Sequence, residues 1–142
     1  MPAYLREWAT VKLLRTVLYL DAVVWAVTGL LLILMPAWLL EDVFDQAPVG
    51  EYAWVRMAAI LGIAVAMLMF MVAHRIETLW WFAWAFVLTE GALAALAILN
   101  AALGPPEGSG SVLWWLFGIV SAGFAVALLV GLGRTGLERQ PE

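Results

Sequence analysis

Apolar runs of about one membrane thickness alternate with short polar stretches along this chain. The runs are Thr16 to Met35, Met57 to Ala73, Leu79 to Leu103 and Val112 to Leu132. About 20 predominantly apolar residues cross a bilayer core as a helix, so each run is long enough to span. With their flanking residues they predict spans over 13–35, 53–73, 79–103 and 112–132. The expected fold is all-α: an integral membrane bundle of four transmembrane helices, with a short interfacial helix after the first span.

The polar positions inside these runs carry most of the remaining information. Glu90 lies near the middle of the third run, where an ionisable group costs several kcal/mol unless it faces protein or water. Its helical face reads Ala83, Val87, Glu90, Ala94, Ala97, Ala101, nearly all small, which allows a neighbouring helix to approach and shield the acid. Glu90 is therefore expected to be neutral and hydrogen-bonded inside the bundle. In the first run Asp21, Trp25 and Thr28 fall at i, i+4 and i+7, one polar stripe on one face, beside a strip of Ala22, Ala26 and Gly29. Small rows recur at Ala58, Gly62 and Ala66 and at Gly118, Ala122 and Ala125. Ser121 is the only polar side chain of the fourth run.

Between the runs, Pro36 suits the first position of a short helix, AWLLEDVF, with Leu39, Leu40, Val43 and Ala47 on one side and Glu41, Asp42 and Asp45 on the other. Pro48 and Gly50 end it, and Tyr52 and Trp54 mark the headgroup level. His74, Arg75 and Glu77 form a tight polar turn, followed by Trp80, Trp81 and Trp84 as an aromatic belt. GPPEGSGS, residues 104–111, is a loop by composition, and Trp114 and Trp115 open the last span.

The N-terminal tail, the Arg75 turn and the C-terminal tail hold six of the seven Lys and Arg residues, whereas the first and third loops carry only acids. That bias predicts a multi-pass protein of the cell's inner (plasma) membrane with both termini cytoplasmic. Thr16 to Met35 is longer than a signal h-region and lacks an A-x-A site, which predicts a retained first helix. Asp21 precedes Pro36 by the same interval as Glu90 precedes Pro105, an echo suggesting two hairpins of parallel origin.

Composition narrows the functional classes. Hydrophobic residues make up 65% of the 142, charged residues 13%, and mean hydropathy is +0.98, all far from the soluble globular range. One transmembrane domain over 1–142 uses the available chain. A net charge of -4 with scattered basic residues offers no nucleic-acid surface. The absence of cysteine removes thiolate nucleophiles, Cys-ligated metal and dithiol redox couples, and a lone His74 provides no histidine pair for metal or heme. No cofactor and no metal site is expected. Gly131, Gly133 and Gly136 match G-x-G-x-x-G but follow a membrane helix rather than a strand, so they do not predict dinucleotide binding.

YLDAVVWAVTGLLLILMP, residues 19–36, and WVRMAAILGIAVAM, residues 54–67, resemble the DoxX-like small four-helix integral membrane proteins of bacteria. The likeness covers the arrangement of the whole chain. It implies the four-helix fold and a role such as a subunit or accessory of membrane redox or sulfur metabolism.

Candidate site residues are Glu90, Asp21, Thr28 and Arg56. Asp21 either joins Glu90 or reaches back to Lys12 or Arg15 near the surface. Arg56 either anchors an anionic headgroup or pairs outward with the acidic segment Glu41 to Asp45. The favoured function is a non-enzymatic accessory subunit or a bundle that binds a membrane lipid or quinone at an intramembrane acidic site, with a protein partner or a second copy possible. Alternatives are an oligomeric proton- or cation-coupled transporter and a lipid-modifying enzyme; the latter wants more convergent polar groups than two acids.

Overall fold

The computed structural model describes residues 3–105 and 107–138, and side-chain surroundings over 11–105 and 107–136. The side chains of Tyr4, Arg6 and Trp8, and residues 139–142 of the polar tail, lie outside this. Helix α1 runs Ala3–Leu34, α2 Ala53–His74, α3 Ile76–Leu79, α4 Ala83–Leu103 and α5 Val112–Glu138. A 3-10 turn, Trp80–Phe82, joins α3 to α4, so the third span starts at Ile76 and carries a tightened turn among its tryptophans. Among the described residues four helices are long and apolar enough to cross a membrane: Val11–Leu34, Ala53–His74, Ile76–Leu103 and Val112–Gly136. The expected four-helix membrane bundle is present.

Consecutive helices form two hairpins, α1 on α2 and α4 on α5, and the hairpins meet chiefly through α1 and α5. Small residues set the spacing. A Cβ on Gly29 of α1 would lie 3.0 Å from the carbonyl oxygen of Ala59 and 2.8 Å from Cγ1 of Ile63, so only a hydrogen lets the two backbones approach this closely. In the second hairpin a Cβ on Gly118 would meet Cγ1 of Ile98 at 2.9 Å. The face expected to surround Glu90 is indeed inward, with Ala83, Ala94 and Ala97 buried. Leu20, Leu61, Met67 and Leu88 point outward with more than half their surface exposed, as side chains solvated by lipid tails do.

The interior differs between its two ends. Towards the Arg75 turn, Leu14, Leu18, Met69, Phe86, Leu128 and Leu132 fill it completely. Arg15 pairs with Glu77 across this end and ties α1 to the start of the third span. Towards the first and third loops the helices separate around a cavity. The loops above it are pinned together: Gly110 N–H donates to the Asp45 carbonyl at 2.6 Å, Gln46 Nε2 to the Gly110 carbonyl at 2.9 Å, and Ala47 N–H to Ser109 Oγ at 3.0 Å. Asp45 itself takes a positive φ of 51°, and a Cβ on Gly110 would come within 3.2 Å of its carboxyl oxygen. Glycine is the residue that permits this crossing.

The segment after Pro36 departs from the expected amphipathic α-helix. Trp38–Val43 is a π-helical turn. Its i to i+5 repeat changes which side chains share a face, so Leu39 and Phe44 turn inward together with Leu40, while Val43 is 47% exposed. Glu41, half-buried, accepts the Tyr52 hydroxyl.

Candidate functional site

Asp21 and Glu90, from different hairpins, open on the same space. Both are 1% exposed, and both line one cavity of about 550 Å³. Residues of α1, the π turn, α2 and α5 form the walls, and Glu90 alone reaches in from α4. Val24, Phe117 and Val120 line it and keep more than a third of their surface accessible, which makes it an open cleft rather than a sealed void.

The environments of the two acids are unlike. Glu90 Oε1 accepts the indole N–H of Trp25 at 2.7 Å, and the Ser121 hydroxyl also hydrogen-bonds to this carboxyl. Glu90 thereby links α4 to α1 and α5. Gly62 leaves room for Trp25 in this position: a Cβ there would press on the indole at 3.0 Å from Cε3 and 3.2 Å from Cζ3. Asp21, one turn before Trp25, is different. Both of its carboxyl oxygens are buried without any hydrogen-bond partner. Burying an unpartnered polar group costs about 1–3 kcal/mol, so Asp21 is the acid with unused bonding capacity.

Of the sequence candidates, Glu90, Asp21 and Thr28 come together at the cavity. Arg56 does not. It is exposed, lies outside the lining, and donates Nε–H to the carbonyl of Ile33 at 3.2 Å near the end of α1. The expected pairing of Arg56 with the segment Glu41 to Asp45 is not formed, because the carbonyls of the last α1 turn have no intrahelical donor and lie nearer. Nor does Asp21 reach Lys12 or Arg15: its side chain points into the bundle, and Arg15 is engaged with Glu77.

Three further residues belong to the site. Trp25 was visible in the polar stripe, and a mid-span tryptophan, unlike a belt tryptophan, needs a partner for its N–H. Ser121 was the one polar side chain of its span and likewise required a partner in an apolar setting. Trp114 reads as a belt residue, yet it lines the cavity with its indole nitrogen buried and unpartnered. Only the departure of α5 from α1 at this end could reveal that. Among the described residues no third His, Cys, Asp or Glu joins the two acids to form a metal-binding group. Of the described lining residues none is Lys, Arg or His, so the cleft offers hydrogen-bonding groups at its acids, Thr28, Ser121 and the tryptophans, and apolar surface elsewhere.

Fold and site together define a four-helix membrane-spanning bundle with a carboxyl pair at the floor of an apolar cleft. No protein-family model, curated protein or solved structure matches the chain.

Proposed function

We propose that this protein is a non-enzymatic binding or accessory protein of the membrane, which holds a small lipid-phase molecule in the cleft between α1, α2 and α5. It sits in the inner (plasma) membrane of a bacterium as a DoxX-like bundle with both termini in the cytoplasm and acts beside a protein partner. The basic residues of the tails and the Arg75 turn support the orientation. The observation that carries the binding reading is the unpartnered, buried carboxyl of Asp21 at the floor of a 550 Å³ apolar cleft. A pocket of that size suits a small ligand, and a few placed polar groups in apolar walls are what fix such a ligand's orientation.

The competing readings have less support. Transport is expected only from an oligomer, and within one bundle Leu14, Leu18, Met69 and Leu128, all fully buried, close the Arg75 end, so a path would have to run between copies. Chemistry on a lipid wants a nucleophile or base beside the acids, whereas the neighbouring polar side chains are Trp25, Thr28 and Ser121, two of them already bonded to Glu90.

Native mass spectrometry of the protein released from mild detergent tests the binding reading. The wild type is expected to carry a small apolar adduct that is lost in the cleft-filling variant Ala58→Phe. An empty wild type, or an adduct retained unchanged by Ala58→Phe, overturns it.

A further inference from the structure

We infer that the cleft selects lipophilic amines, bound as ammonium ions with their N–H groups on Asp21, over neutral and anionic molecules of the same size. This rests on the cleft being a ligand site and narrows what the ligand is.

The hydrogen-bond inventory points there first. Asp21 is 1% exposed and both oxygens lack a donor. A carbonyl ligand, such as a quinone, brings only acceptors, which suit the unpartnered indole N–H of Trp114 but not the two bare oxygens of Asp21. It can accept one hydrogen bond from a protonated Asp21, and it leaves the second carboxyl oxygen as bare as before. A primary ammonium brings three donors on one atom and satisfies both oxygens at once. Glu90 does not compete for it in the same way, because Trp25 and Ser121 already donate to that carboxyl.

Charge gives the second reason. With no Lys, Arg or His among the described lining residues, a fatty acid or a phosphate headgroup would bury an unbalanced anion beside two acids. One ammonium beside one ionised carboxylate, with the other acid protonated, leaves the floor neutral. Buried charges persist only when paired in this way. Aromatic faces supply the third. Trp25, Trp114, Phe117 and Phe124 line the cleft, and ring faces attract cations, most strongly when water is excluded. The apolar walls accept an alkyl or aryl tail, and the exposed Val24, Phe117 and Val120 leave that tail a way out towards lipid.

Dodecylamine, dodecanol and dodecanoate provide a series of equal length differing in the head. Each is titrated into the full-length protein in nanodiscs of uncharged lipid, with bound ligand counted by native mass spectrometry and empty nanodiscs subtracted. Dodecylamine is expected to bind at least tenfold more tightly than the other two, and Asp21→Asn, which removes the charge while keeping the shape, is expected to abolish that preference. Equal binding of dodecanol, or preferential binding of dodecanoate, overturns the amine inference and leaves the cleft as a ligand site. Absence of binding by all three, together with an empty native protein, removes the ligand site itself. The wild-type series decides between these outcomes even if Asp21→Asn does not fold.

Discussion

Trp25 and Glu90, 65 residues apart, are joined by a 2.7 Å hydrogen bond from indole to carboxyl that ties the first hairpin to the second. It satisfies two groups that would each be costly in the membrane interior, a mid-span N–H and a mid-span acid. Trp25→Phe keeps the ring and removes the donor. It is expected to destabilise the bundle by about 1–2 kcal/mol, within the range for interhelical hydrogen bonds in membranes and a donor lost from a buried acceptor. Glu90→Gln retains an acceptor for Trp25 and is expected to cost less than Glu90→Ala, which leaves the indole unpartnered. Denaturant-titrated unfolding in mixed micelles ranks the three.

The glycines of the α1/α2 seam give a graded series. Gly29→Ala places a methyl 3.0 Å from a backbone oxygen that cannot rotate away, while Gly62→Ala presses at 3.0 Å on the movable ring of Trp25. Gly91→Ala meets nothing within 4 Å. The expected order of destabilisation is Gly29 first, then Gly62, each about 1–3 kcal/mol as overpacking, with Gly91→Ala neutral or mildly stabilising. Thermal melts of the three variants check the order, and a melt for Gly91→Ala as low as for Gly29→Ala would refute it.

Arg56→Gln is expected to lower stability by no more than about 1 kcal/mol, since the side chain is exposed and contributes one bond to the end of α1. It is also expected to leave ligand retention unchanged. Loss of the bound adduct in this variant would show Arg56 to be part of the site.

Tyr52 gives a pH dependence outside the spans. Its hydroxyl donates to Glu41, and this hydrogen bond, reinforced by partial desolvation, raises its pKa above the ordinary 10.0. A raised folded-state pKa favours the protonated phenol in the native protein. The contribution is therefore complete below the ordinary tyrosine value and is lost as pH rises through the raised one. Ultraviolet titration should show a late-ionising tyrosine component that Tyr52→Phe removes.

The absence of cysteine makes orientation directly measurable. Glu107→Cys, exposed in the third loop, is expected to react with an impermeant thiol reagent from outside intact cells, and His74→Cys, exposed at the opposite end, only after the membrane is opened. Ser109 is avoided because its hydroxyl anchors Ala47. The reverse labelling pattern would invert the topology.

Hydropathy alone determined the number of spans, their limits to within a few residues, and the inward face of Glu90. Each of these follows from local rules: an apolar run must be helical in lipid, and a mid-span acid must turn towards protein. The Asp21, Trp25 and Thr28 stripe was legible for the same reason. Which acid would be satisfied was not. Glu90 drew attention by its depth, but its partners Trp25 and Ser121 come from two other helices, and only the crossing of α1, α4 and α5 assigns them. That crossing leaves Asp21 with its bonding capacity free. The π turn escaped the pattern because the spacing of apolar and acidic residues fits an ordinary helical turn as well, and only the i to i+5 repeat brings Phe44 in beside Leu39 and leaves Val43 outside. The cleft itself is a gap between helices, and no single helix's sequence marks it. Packing against the neighbouring helix, rather than transfer into lipid, decides which end fills and which stays open.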